Sequence, residues 1–127
     1  MTKRAVSTDA APKAIGPYSQ AIVAGDLVFV SGQAGIDPAT GAVATGIEAQ
    51  AEQALRNVAA ILTAAECSMA DVVKTTLWLT DAAHFAAVNA IYTRHFPEPA
   101  PARSTPILAA LPRGFLISVD AIAVKPQ

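Results

Sequence analysis

The chain is poor in most of what marks a specialised class of protein. Cys67 is its one cysteine, so no internal disulfide forms and a reducing compartment fits best. Only 15% of the 127 residues are charged, and the net charge is −1 with no basic run. That excludes strong electrostatic attraction to nucleic acid or to an anionic membrane. Aromatics make up 6%, and no aromatic-plus-basic stripe is present for stacking RNA. No apolar run approaches the ~20 residues of a membrane span. Residues Met1 to Pro12 are polar and lack the apolar centre of a secretory signal. The two histidines, His84 and His95, have no partner at ligand spacing, so no metal is expected. Repeats, linkers and low-complexity segments are absent too. The expectation is one cytoplasmic domain over 1–127.

What the chain does have is apolar surface: 53% of it is hydrophobic, rich for a monomer. The stretch 20–31, QAIVAGDLVFVS, reads as two strands around a Gly25-Asp26 turn. GIDPATG, 35–41, is a loop of turn formers. From Ile47, apolar residues recur every three to four places (Ala51, Ala54, Leu55, Val58, Ile61, Leu62, Ala65), which predicts an amphipathic helix. Thr45 and Glu48 have the spacing of its capping box. VVKTTLWL, 72–79, is β-branched and predicts a strand. Asp81 is placed to cap a second helix with a buried stripe of Phe85, Val88, Tyr92 and Phe96. Two final strands are expected near 103–110 and 115–124, joined as a hairpin through Leu111-Pro112-Arg113-Gly114.

The order is therefore β-β-α-β-α-β-β, an α+β fold with two helices on one face of the sheet. The strands are nonetheless apolar on both faces: Leu27 and Phe29 alternate with Val28 and Val30. A sheet with one wet face alternates apolar and polar residues, so other copies of the chain are expected to cover the second face.

Within this apolar background, PARSTP (101–106) places Arg103 at the start of a strand. In an unbulged final hairpin Thr105 faces Asp120 and Ile107 faces Ser118. Arg103, Thr105, Ser118 and Asp120 then share one face. Two readings of Arg103 stand side by side. It is a structural cation paired with Asp120 or with an acid of another copy, or it is a fork held ready for a ligand carboxylate. Cys67 reads as a packing thiol, since no activating group is near in sequence. SGQAG lacks the strand-turn-helix setting of a phosphate cradle and reads as a strand end turning close to a ligand. Trp78 reads as packing.

AIGPYSQAI, VFVSGQAGIDPATG, QALRNVAAIL, VVKTTLWL, FAAVNAIYTRHF and PARST…ALPRGFLISVDAIA together resemble the RidA family. It is also called the YjgF or reactive-intermediate deaminase family. The resemblance runs from about Ala14 to Val124. It implies a chorismate-mutase-like homotrimer with three clefts between neighbouring subunits. It also implies hydrolysis of small 2-imino acids or their enamine tautomers, such as 2-iminobutanoate and 2-iminopropanoate, to 2-keto acids and ammonia. No cofactor and no metal are implied. By position, Arg103 matches the arginine that grips the substrate carboxylate. Tyr18, Ser31, Gly32, Asn89 and Thr105 match residues lining the cleft. One departure stands out. Where deaminases of the family read Glu-x-Glu, with the first Glu positioning the attacking water, this chain reads Ser118-Val119-Asp120. A serine holds a water but is a poor general base. Three options follow: Asp120 helps from two residues away, orientation alone suffices, or the usual hydrolysis is weak. The last favours a non-catalytic trimer that binds a keto acid and regulates a partner.

Overall fold

The computed structural model describes residues 2–127; Met1, part of the expected domain and of its polar N-terminal stretch, lies outside them. The strands are β1 (Lys3–Val6), β2 (Ala21–Ala24), β3 (Leu27–Gln33), β4 (Val72–Leu79), β5 (Ala102–Ser104) and β6 (Ile117–Val124), and the helices are α1 (Ile47–Ala64) and α2 (Phe85–Tyr92). All six strands join one mixed sheet in the spatial order β1-β2-β3-β6-β4-β5. The expected order is thus met with one strand added at the front. β1 escaped the sequence reading because Lys3 and Arg4 are exposed and only Val6 is buried. Such charges suit a sheet edge.

Gly25, at φ 60°, makes the tight turn between β2 and β3, where a left-handed residue matches the strand twist. On α1, the predicted stripe is met: Ala51, Ala54, Leu55, Val58, Ile61 and Leu62 are completely buried as the helix packs on β3 and β6. Each large apolar side chain removed from water this way contributes roughly 1.5–3 kcal/mol. The capping box is not formed. Gly46 takes the cap position at φ 85° with no side-chain bond, a conformation that Thr45 would reach only with strain. Asp81 does cap, but through Ala83 N at 2.8 Å, which starts the 3₁₀ turn Ala82–His84 ahead of α2. Phe85 departs from the predicted stripe and is 46% exposed, whereas Val88, Tyr92 and Phe96 are buried.

The final hairpin does not exist. β6 already has β3 on one side and β4 on the other, so no edge remains for β5. β5 instead lies parallel to β4, with Arg103 beside Thr75. Pro106 sits just past this outer edge, where a missing N–H costs no ladder bond. Leu111 to Gly114 form a 3₁₀ turn entered from an irregular segment.

The two sheet faces differ as expected. Val28, Val30, Leu77, Leu79, Ile117, Val119, Ala121 and Ala123 are buried beneath the helices. The other face carries Leu27 and Phe29, 39% and 41% exposed in the single chain, next to Val124 and Ile122 across the ladder. No helix among the described residues is long and apolar enough to cross a membrane.

Candidate functional site

The residues singled out in the sequence fall into two groups on opposite sides of the sheet. The first is built around Arg103. Because β5 pairs in parallel with β4, Arg103 lies beside Thr75, a residue of the buried, helix-covered face. Its Nη2 donates to Asn89 Oδ1 of α2 at 2.6 Å, and its Nε donates to Thr105 Oγ1 at 2.9 Å. The guanidinium carbon stands 4.8 Å from the Tyr92 ring centroid and 5.4 Å from that of Phe85, within reach of a cation–π attraction. Tyr92 is fixed from below: its hydroxyl and Thr75 Oγ1 are 2.8 Å apart, and its ring packs on Phe96 at 4.4 Å. Burial pushes the Tyr92 phenol above its ordinary range, against the smaller opposing pulls of Thr75 and Arg103.

No carboxylate lies within ion-pair distance of Arg103 among the described residues. The structural reading of Arg103 as the partner of Asp120 is therefore overturned within the chain. Of the five N–H donors of the guanidinium, protein atoms take two. The group borders a cavity of about 400 Å³ with Asn89, Tyr92 and Pro101 in its wall.

The second group is on the other face. Ser118 pairs across β6 with Trp78, and Asp120 with Thr76. The predicted juxtaposition of Arg103 and Thr105 with Ser118 and Asp120 fails, because the hairpin that would create it is absent. Asp120 Oδ2 instead accepts the Trp78 indole N–H at 2.9 Å, so Trp78 does more than pack. No hydrogen bond joins Asp120 to Ser118. The register shift of β3 between Val30 and Gln33 brings Gly32 against Ser118: a Cβ on Gly32 would stand 2.8 Å from Ser118 Oγ. Any larger residue there would make the Ser118 hydroxyl turn away. Ser31 is tied down beside it, its hydroxyl donating to Ser19 O at 2.6 Å. Tyr18 is half exposed, and its hydroxyl accepts Ile15 N at 3.3 Å. Tyr18, Gly32 and Ser118 line a second cavity of about 510 Å³.

The sequence reading missed two polar residues that shape this second cavity. Gln50 and Asn57, seven apart on the buried face of α1, anchor the loop that forms one wall. Asn57 Nδ2 donates to Ala34 O and Ile36 O. Gln50 Nε2 donates to Ala44 O, while its Oε1 accepts Leu116 N at the entrance to β6. Two amides inside an apolar stripe were the available signal, since buried polar side chains must find partners. Gly35 lies so close to the helix that a Cβ would meet Gln50 Cα at 2.6 Å. Cys67 is buried and its thiol is pushed up, chiefly by burial, as befits a packing residue.

The family model described as "Endoribonuclease L-PSP" matches residues 8–125. The Arabidopsis thaliana protein "Reactive Intermediate Deaminase A, chloroplastic" is 51% identical over 122 residues, covering 95% of this chain and 65% of that protein. The Capra hircus "2-iminobutanoate/2-iminopropanoate deaminase" is 45% identical, covering 98% of this chain and 92% of its own. Among solved structures, "E. coli TdcF with bound serine" matches with a TM-score of 0.93 and 39% identity, covering 97% of this chain and 99% of that one. With an unpaired arginine at one cavity, a glycine–serine contact at the other and this match over nearly the whole length, the chain belongs to the RidA/YjgF family.

Proposed function

We propose that the protein hydrolyses 2-imino carboxylates, or their enamine tautomers, to 2-keto acids and ammonia in clefts between the subunits of a homotrimer. The observation that carries this is Arg103: a guanidinium fixed by Asn89, Thr105 and Tyr92, with no acid beside it and donors left over. A planar fork with free N–H groups suits a carboxylate bound through two parallel bonds. Deaminase names among the relatives and the serine bound to E. coli TdcF support a small amino-acid-like ligand.

The two cavities lie on opposite faces of one sheet, so a single chain does not bring Arg103 to Ser118. A second copy joins them if its open face packs on the first. The apolar Leu27 and Phe29 on that face give the driving force; burial of such surface is favourable by about 25 cal/mol per Å². This is the chorismate-mutase-like trimer, and sedimentation at micromolar concentration checks it.

In the reaction, Arg103 of one subunit holds the carboxylate and sets the imine carbon near Ser118 and Gly32 of the next. Ser118 holds a water, which adds to the protonated imine carbon. The resulting carbinolamine expels ammonia, and the carbonyl forms. Orientation supplies much of the acceleration, with no nucleophilic side chain. The assay is ammonia release from freshly generated 2-iminobutanoate. Each charge-assisted bond is worth about 1.5–3 kcal/mol, so Arg103→Ala is expected to lower kcat/KM by roughly 100-fold or more. Wild-type protein that gives no acceleration with any imine would end this reading.

The absence of any acid bonded to Ser118 favours a second reading, in which the same cleft binds a keto acid without turnover. Calorimetry showing Arg103-dependent binding of 2-oxobutanoate by a protein with no hydrolytic activity would establish it.

A further inference from the structure

The cavity around Ser118 is larger and more apolar than the simplest substrates require. Its volume is about 510 Å³, within the roughly 300–1,000 Å³ of sites that enclose drug-sized ligands. The side chain of 2-iminobutanoate is a single ethyl group. Its apolar walls include Ile15, Ile36, Leu111 and Phe115. Almost every polar side chain at the rim is engaged elsewhere. Asp37 Oδ1 accepts Ala39 N at 2.8 Å, Gln33 Nε2 donates to Ser31 O, and Arg113 lies over the Phe115 ring at 5.4 Å. Lys13 faces Asp9 across the surface at 3.9 Å. The Ser118 hydroxyl has no hydrogen-bond partner among the described residues, and its side chain is short.

From this we infer that the cavity is a side-chain pocket, and that the chain prefers imino acids with bulky apolar side chains, branched-chain or aromatic, over the three- and four-carbon analogues. The inference rests on the reading above, in which the imine carbon lies at Ser118. The carboxylate is fixed at Arg103, the reacting carbon sits over Ser118 and Gly32, and the side chain extends between Ile36, Leu111 and Phe115. Burying extra methylenes in such a pocket is worth about 10-fold or more in kcat/KM.

The test uses the intact protein and imines released in place by an amino-acid oxidase from alanine, 2-aminobutyrate, leucine and phenylalanine. Acceleration over spontaneous hydrolysis is measured for each. The leucine- and phenylalanine-derived imines are expected to exceed the aminobutyrate-derived one by about 10-fold in kcat/KM. Leu111→Trp is expected to reduce the leucine-to-aminobutyrate ratio by about 10-fold, and a ratio is unaffected by a smaller folded fraction. Equal or greater rates with the small imines, in a protein whose activity still depends on Arg103, would overturn the pocket while leaving the deaminase reading intact. If no imine is turned over, the deaminase reading falls, and calorimetry decides the pocket separately: 4-methyl-2-oxopentanoate must bind at least several-fold more tightly than 2-oxobutanoate, and a reversed order refutes it.

Discussion

The Arg103 side of the sheet and the Ser118 side are held in different ways. Around Arg103 the side chains hold one another: Asn89 and Thr105 accept from the guanidinium, Tyr92 lies beneath it, and Thr75 holds Tyr92. Around Ser118 the fixing is done by backbone and by the second layer. Gly32 leaves room for the serine hydroxyl, and Gln50 and Asn57 tie the surrounding loop, yet the hydroxyl itself bonds to none of them. A cation needs a rigid setting to bind an anion without reorganising. A water site and a side-chain pocket need space. The contrast fits the proposed reaction, with binding at one half and water addition at the other.

Breaking the rigid half should give the largest effect. Asn89→Ala removes a hydrogen bond to a charged group, worth about 1.5–3 kcal/mol. It is expected to lower kcat/KM for 2-iminobutanoate by roughly 10- to 100-fold, mainly through KM, with little change in melting temperature. A loss of stability with normal KM would show that Asn89 supports the fold rather than the arginine.

Filling the open half should come next. Ser118→Glu places a carboxylate where the hydroxyl is and occupies part of the pocket. Turnover of the smallest imine is expected to rise, because a base within reach of the water assists its addition. The leucine-to-aminobutyrate ratio is expected to fall by about 10-fold. A rise for all imines alike would place the pocket away from residue 118.

The two halves were also unequally legible in the sequence. Strand β4 and the start of α1 were read to the residue, because β-branched runs and a 3.6-residue period are local signals. Tyr18, Gly32 and Ser118 were grouped by the resemblance, and the structure brings them to one cavity. The placement of Arg103 relative to Asp120 was misread. That pairing depended on which strand takes which edge, and β3 and β4 reach β6 from far along the chain. No local pattern reports such long-range competition. Phe85 was misplaced for a related reason: its apolar side chain serves the arginine's surroundings, and period alone does not distinguish that from core.

A smaller effect is expected from Tyr92→Phe. The ring stays beneath Arg103, but the Thr75 hydroxyl, completely buried, loses its partner. An orphaned buried hydroxyl costs about 1–3 kcal/mol, read from chemical denaturation, while KM should move less than in Asn89→Ala. The reverse order would mean that the phenol, not the amide, governs the arginine.

The smallest effect concerns the joint between α1 and the segment leading to β5. His95 Nε2 and Glu52 Oε1 are 2.9 Å apart, and Glu52 also accepts from Arg56 Nε at 2.8 Å. The bond to His95, more than the Arg56 contact, holds the Glu52 carboxyl below its ordinary value of 4.5. A carboxyl whose folded value is depressed stabilises the fold above its unfolded value. That contribution disappears as pH falls through the folded value. As far as the Glu52 carboxyl is concerned, stability should therefore decline only below about pH 4.5, by no more than about 1 kcal/mol, since the group is partly exposed. Glu52→Gln should remove that part of the acid-side slope in melting temperature. Because His95 precedes the connector that carries Arg103, loosening this joint tests whether the rigid half depends on its attachment to α1. If it does, KM rises in Glu52→Gln at neutral pH; if the half is rigid by its own contacts, only the acid limb changes.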